Sequence, residues 1–176
     1  MLEGFVASSA SDPMKLSALR SLSQAYAAEQ NWERFGETTS RGLALAPTDA
    51  AFKNNAAYVL LVEQKKPQDA LPLAQQAAEL APGDPNVLDT LAAVQWTLGQ
   101  RDDALRTLSR AVRRYPTDLE RAGALLKLGR WQLEADRRDA AAVTAGQLQE
   151  LLVDDNAVRE SLADEIGKFV QQAQPR

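Results

Sequence analysis

Four prolines, Pro13, Pro47, Pro82 and Pro116, are spaced 34, 35 and 34 residues apart. A fixed period in this range signals one supersecondary unit copied in tandem. Three of the prolines open the same signature: Pro47-Thr48-Asp49, Pro82-Gly83-Asp84 and Pro116-Thr117-Asp118. Proline stops a helix because it has no N–H to donate and clashes with the preceding turn. An aspartate two residues later is a good N-cap for the next helix. Pro85, directly after Asp84, suits a first helical position. Each signature therefore predicts a joint between two helices.

Between the joints the apolar spacing is helical. Over Pro85 to Leu98, Leu88, Leu91, Ala92 and Leu98 share one face, and beyond Gly99 the residues Ala104, Leu105, Leu108, Ala111 and Val112 form a second stripe. Each period thus reads as two antiparallel helices joined by a short polar turn. The helices fall at about 16–29, 32–45, 50–64, 67–80, 85–98, 101–114, 119–135 and 138–152. A last amphipathic stretch, 156–173, places Val158, Leu162, Ile166, Phe169 and Val170 on one face, with Glu160, Asp164, Lys168 and Gln171 polar. That pattern suits a capping helix, which covers the final repeat and faces water outside. The expected division is residues 1–13, then an array over 14–155 with repeats at about 16–49, 50–84, 85–118 and 119–155, then a cap and tail over 156–176.

Composition narrows the chemistry. The chain has 176 residues, 45% hydrophobic and 25% charged, which is ordinary for a folded protein. It contains no histidine and no cysteine. A Ser-His-Asp triad, a thiol nucleophile and a zinc site of Cys/His type are therefore excluded. Neither GxGxxG nor GxxxxGK occurs, so no phosphate-cradling loop of those kinds is present. The adjacent acids Asp102-Asp103 and Asp154-Asp155 read as helix caps and dipole partners at helix starts, because neighbours in sequence do not face each other on a helix. No cofactor or metal is expected, and the reading is not an enzyme. A net charge of −4 argues against a nucleic-acid binder. The longest apolar run, Ala56 to Val62, is too short for membrane insertion. The opening Met-Leu-Glu-Gly-Phe-Val has no basic stretch typical of a secretory signal, and the compartment, cytoplasmic or periplasmic, stays open.

With Leu-Gly, Tyr, Ala and a closing Pro recurring at this period, the chain resembles the tetratricopeptide repeat family. The third unit matches best: Leu91-Ala92 at the Leu-Gly site, Gly99 at the inter-helix turn, Ala104 and Ala111 at small sites, Pro116 at the close. The first unit matches through Leu22, Tyr26, Trp32 and Pro47, and departs at Phe35, where the family prefers a small residue. The second matches through Asn54-Asn55-Ala56-Ala57-Tyr58, Ala70, Ala77 and Pro82, with an extra residue expected in the Glu63–Pro67 turn. The fourth matches through Leu128-Gly129, Ala141 and Ala145, lacks the closing proline, and carries Leu119-Glu120-Arg121 as an insertion or as a longer first helix. The resemblance implies an all-α fold, a right-handed α-solenoid of about four helix pairs plus the cap.

It also implies a site. In this family the first helix of each repeat lines a concave groove that binds a protein or peptide ligand. Carried over, the groove positions are Arg20 and Gln24; Asn54, Asn55 and Tyr58; Asp89, Thr90, Ala93 and Trp96; and Lys127 and Arg130. Asparagine amides both donate and accept, which suits a peptide backbone. Tyr58 and Trp96 offer rigid apolar area with a polar tip. Arg20, Lys127 and Arg130 would favour an acidic ligand. The alternative for Asn54 and Asn55 is capping or bridging of helices, for Tyr58 core packing, and for Trp96 packing on the next repeat; Trp32 and Trp131 read as packing. Some family members clamp chaperone tails. Arg20, Gln24 and Asn55 match that pattern in part, but Asn86 and Thr90 stand where its last basic pair belongs, so chaperone-tail binding is not expected.

Arg106, Arg110, Arg113 and Arg114 line one side of a second helix and read as a solvated outer face, with Asp102 pairing Arg106 at i, i+4. The acidic end, with Glu150, Asp154, Asp155, Glu160, Asp164 and Glu165, offers that basic face a complement in another copy, a route to self-association. Pro13 lies in register with no full repeat before it. Residues 2–12 read either as the tail of a preceding second helix, with Phe5 and Ser8 matching Leu108 and Ala111, or as a leader ending in Asp-Pro. The expected function is a non-enzymatic interaction scaffold, with a structural or oligomerising segment of a larger repeat protein as the alternative.

Overall fold

A computed structural model describes residues 11–174. Phe5, Ser8 and the rest of residues 1–10 lie outside the described residues, so the reading of a preceding helix tail does too. Nine α-helices make up the described chain, with no strand among the described residues: α1 (Asp12–Ala28), α2 (Trp32–Leu45), α3 (Ala50–Val62), α4 (Pro67–Leu80), α5 (Pro85–Thr97), α6 (Arg101–Val112), α7 (Asp118–Glu134), α8 (Arg138–Asp154) and α9 (Asn156–Ala173). None of them is long and apolar enough to cross a membrane.

The proline joints form as their chemistry dictates, with two corrections. The Asp49 carboxylate accepts from the N–H groups of Ala51 and Phe52 at 3.0 and 3.1 Å, and that of Asp84 from Asn86 and Val87 at 2.9 and 3.4 Å. At the third joint the cap is Thr117, one residue ahead of Asp118. Its hydroxyl accepts from the Glu120 N–H at 3.3 Å and donates to the Glu120 carboxylate at 2.6 Å, a side-chain cap that starts α7 one residue early. Pro13 differs from the other three in its place. It lies inside the first turn of α1, where a proline costs nothing because that N–H has no helical partner. Of the acid pairs, Asp102 and Asp103 open α6 and Asp155 caps α9 through the Val158 N–H at 2.9 Å, but Asp154 closes α8 rather than starting a helix.

A second period runs through the turns inside each pair. Gln30, Lys65, Gly99 and Asp136 hold positive φ, at 55°, 55°, 78° and 55°. The next residue's N–H then reaches back into the first helix: Asn31 to Tyr26 O, Gln100 to Gln95 O and Arg137 to Gln132 O, at 2.8, 2.9 and 2.7 Å. Lys66 reaches one residue further, to Leu60 O at 2.8 Å, so the extra residue of the second unit sits in this turn. The additional residues of the fourth unit lengthen its first helix, since α7 has 17 residues where α5 has 13.

The described chain forms two compact units, one up to Pro82 and one from Gly83. In the first, α1 packs on α2, α2 on α3 and α3 on α4. Its core gathers Leu19, Leu22, Tyr26, Phe35 and Phe52, with Trp32 and Tyr58 against it. Phe35, too large for the small site it occupies, is accommodated by edge-on contacts with Trp32 and Tyr58 at 5.9 and 6.2 Å. In the second unit α5 packs on α6, α6 on α7 and α7 on α8, and α9 lies on both α7 and α8. The cap helix buries Val158, Ile166 and Phe169 among Leu125, Leu128 and Leu148, while Glu160, Asp164, Lys168 and Gln171 face solvent.

Candidate functional site

In the first unit the expected face is divided between structure and surface. Arg20, on the exposed side of α1, extends its guanidinium to the Asp49 carboxylate at 2.5 Å and lies 5.9 Å from the Phe52 ring. It therefore braces the first joint. Burial alone would push the Asp49 carboxyl up, but the Arg20 hydrogen bond, the Phe52 and Ala51 amides and the Arg20 charge outweigh it and hold the group below the ordinary aspartate value. Gln24, one turn on, is exposed and makes no side-chain hydrogen bond among the described residues. On α3, Asn54 and Asn55 are half-buried. The Asn54 Oδ1 is buried without a hydrogen-bond partner among the described residues. Tyr58 packs between Trp32 at 5.6 Å and Phe35, and burial, with Glu63 adding, raises its hydroxyl pKa.

In the second unit α5 and α7 bring a coherent set together. Asp89, Ala93 and Trp96 recur along one side of α5, each only half-buried. Lys127 of α7 donates to Asp89 at 2.7 Å. Trp96 stacks flat on Trp131, centroids 4.5 Å apart and planes 2° from parallel. Arg101 covers the Trp96 ring at 3.8 Å and donates to the Trp96 carbonyl at 3.3 Å. Lys127 stands 5.3 Å from the Trp131 ring. Two indoles are thus held between two cations, each contact worth about 0.5–1 kcal/mol where exposed. Close by, Tyr115 is half-buried, and burial first, then Asp89, Glu120 and Asp84, raises its pKa.

Two of the expected positions change meaning here. Thr90 is only 9% exposed and turns into the core, its hydroxyl donating to the Asn86 carbonyl at 3.1 Å. Arg130 pairs with Glu165 of α9 at 2.7 Å. With Arg20 on Asp49 and Lys127 on Asp89, all three cations expected to favour an acidic ligand already hold carboxylates of the chain itself. Trp131, read from sequence as packing, is half of the stacked pair. Its signal was available, because it lies 35 residues after Trp96, one period along. Arg101 is missed by sequence reasoning, since nothing in the pattern fixes where a turn arginine folds back.

A tetratricopeptide repeat family model matches residues 61–128. No curated protein matches the chain. Among solved structures, the fold is similar to TTC0263, a thermophilic TPR protein of Thermus thermophilus, at 21% identity, over 88% of this chain and 82% of that one, with a TM-score of 0.67. It is similar to PilW, a type IV pilus biogenesis factor, at 17% identity, over 98% and 79%, with a TM-score of 0.71. It is also similar to YrrB, a TPR protein with an unusual peptide-binding site, at 18% identity, over 80% and 70%, with a TM-score of 0.61. These likenesses place the chain in the all-α helical-repeat class, the α-solenoids. Over residues 61–128 the period, the turn geometry and the helix pairing agree with that family match.

Proposed function

We propose that this chain is a non-enzymatic protein-interaction scaffold that captures a peptide or partner segment on the first-helix faces of its repeats. The observation that carries the reading is the half-exposed Trp96–Trp131 stack between Arg101 and Lys127. Stacking pre-organises a large aromatic area, so a ligand need not immobilise it, and such anchors dominate binding energy at protein interfaces. Ala93, one turn before Trp96, leaves room for a ligand side chain. Because Arg20, Lys127 and Arg130 already hold acids, the favoured ligand presents an apolar or aromatic side chain to the indoles rather than a run of acids. The first unit, taken by itself, carries the amides of Gln24, Asn54 and Asn55 on its first-helix faces, a chemistry that suits a peptide backbone. The peptide-binding site of YrrB supports the same use of this fold.

A displayed random-peptide library, panned on the full chain, tests the reading. Selected peptides should lose binding by about tenfold or more on Ala93→Arg or on Trp96→Ala, and keep it on Val143→Ser, an exposed change on α8. Selected peptides indifferent to both face variants, with helicity intact, would sink the assignment. A second reading, a structural segment that associates with copies of itself, draws on exposed Glu160 and Asp164 of α9, which hold no partner among the described residues. Light scattering decides it: a concentration-dependent oligomer dissolved by salt supports it, and a monomer at all concentrations rejects it.

A further inference from the structure

Away from the indole stack, α6, the end of α7 and the start of α8 border an open cavity of about 470 Å³. Its polar lining is Arg106, Arg110, Arg113 and Arg137 with Ser109 and Gln132, and no carboxylate borders it. Two of the arginines are held by acids at the mouth of α6. Arg106 pairs with Asp103, not with Asp102 as the i, i+4 spacing suggested, and Asp102 instead takes Arg137 from the next turn. Arg110 and Arg113 have no hydrogen-bond or ion-pair partner among the described residues. The Thr144 hydroxyl lies 2.8 Å from the Gln132 side-chain oxygen and 3.1 Å from the Ala140 carbonyl, and the Gln132 amide N–H groups hold no partner among the described residues. The Ser109 hydroxyl donates to the Leu105 carbonyl at 2.7 Å. The lining is thus rich in donors and carries four positive charges, two of them, on Arg110 and Arg113, in no ion pair.

That chemistry selects an anion. Guanidinium forks match phosphate and carboxylate oxygens in bidentate geometry. The volume is that of a small-molecule site, larger than one oxyanion needs. No aromatic residue lines it, so nothing stacks a base as single-stranded nucleic acid requires. A neighbouring cavity of about 550 Å³, which shares Arg113, sets the contrast, since Glu150 and Asp154 line it beside Arg121. The exposed pairs of Arg106 and Arg137 are worth little, so both forks can turn to a ligand at small cost. We propose that this cavity binds a small anion of two or more linked phosphate groups. Arg110 and Arg113 grip one phosphate, Arg106 and Arg137 the next, and the Gln132 amide donates between them.

Titration calorimetry of the full chain with inorganic triphosphate, pyrophosphate and orthophosphate tests the proposal. Saturable one-to-one binding is expected, tightest for triphosphate and weakest for orthophosphate. Arg110→Gln with Arg113→Gln should weaken it by about tenfold or more, because charged hydrogen bonds are lost, and Lys168→Gln on α9 should leave it within about twofold. Should the double variant fail to fold, the unmodified chain still decides: the Gln132 side-chain and Ser109 backbone amide resonances must shift on saturation with triphosphate. Linear, non-saturating heats, full binding by the double variant, or shifts spread over every basic surface would each overturn the proposal. So would capture of a doubly phosphorylated peptide with no binding of free triphosphate.

Discussion

Phe169 of α9 seats its ring on the backbone of Gly129 in α7, and the absence of a side chain at 129 is what admits it. A Cβ built at position 129 would lie 2.7 and 2.8 Å from Phe169 Cε2 and Cε1 and nearer still to the ring tip. Phe169 is 1% exposed, so its ring has nowhere to retreat. The same arrangement recurs in the first unit, where Gly42 of α2 receives the fully buried ring of Phe52. Gly129→Ala therefore sets two effects against each other. Alanine favours the helix by about 1 kcal/mol, while overpacking costs about 1–3 kcal/mol. Packing wins, and urea denaturation should show net destabilisation. The penalty should shrink in a Phe169→Leu background, whose smaller side chain yields space. Equal penalties in both backgrounds would mean the ring is not the obstacle.

The four left-handed turn positions make a prediction of opposite sign at neighbouring repeats. An L residue in this conformation is strained by about 1–2 kcal/mol, and glycine is not. Gln30→Gly, Lys65→Gly and Asp136→Gly should each raise stability by up to about 1 kcal/mol, the unfolded-state entropy of glycine offsetting part of the relief. Gly99→Ala should lower it by about 1–2 kcal/mol. Thermal unfolding of the four variants checks both signs.

These turns also show how far the sequence could be read. The proline ladder located the joints and the alternating stripes located the helices, because helix stops, caps and apolar periodicity are local properties of the chain. Gly99 announced its turn through its residue type. Gln30, Lys65 and Asp136 did not, since those residues are common anywhere, and only the backbone reveals their shared role. The site divided the same way. Positions along a helix face follow from spacing, so Asp89, Ala93 and Trp96 fell together as expected. Pairings between helices do not follow from spacing, and it is they that turned Arg20, Lys127 and Arg130 from ligand-seeking cations into partners of Asp49, Asp89 and Glu165.

The Arg20–Asp49 brace gives a pH dependence. The folded-state pKa of Asp49 is held below its ordinary 3.8, so the group stabilises the fold above that value and loses its contribution as pH falls through 3.8 toward the depressed folded value. Asp49→Asn keeps a capping oxygen but removes the charge. The wild-type advantage over this variant should be below about 1 kcal/mol at neutral pH, since Arg20 is half exposed, and should vanish in strong acid. Denaturation midpoints measured from pH 7 downward follow the difference directly; a gap that persists unchanged in acid would place the effect on cap geometry instead of charge.

The stacked indoles supply a signature that needs no ligand. Two parallel rings with centroids 4.5 Å apart couple electronically, so the aromatic circular dichroism should carry a paired band of opposite signs. Trp96→Phe and Trp131→Phe should each abolish the pair. Trp32 contributes a separate background from its own cluster with Phe35 and Tyr58 and should leave the band intact when changed to Phe. Each removal should also cost about 0.5–1.5 kcal/mol of stability, the worth of an aromatic pair beyond its area. Arg101→Ala uncovers the outer face of Trp96 and should increase quenching of tryptophan emission by iodide. A peptide that docks on this face must reverse that quenching in the Arg101→Ala variant while the coupled band persists. A ligand that binds without protecting the indoles would place the interaction elsewhere on the repeat.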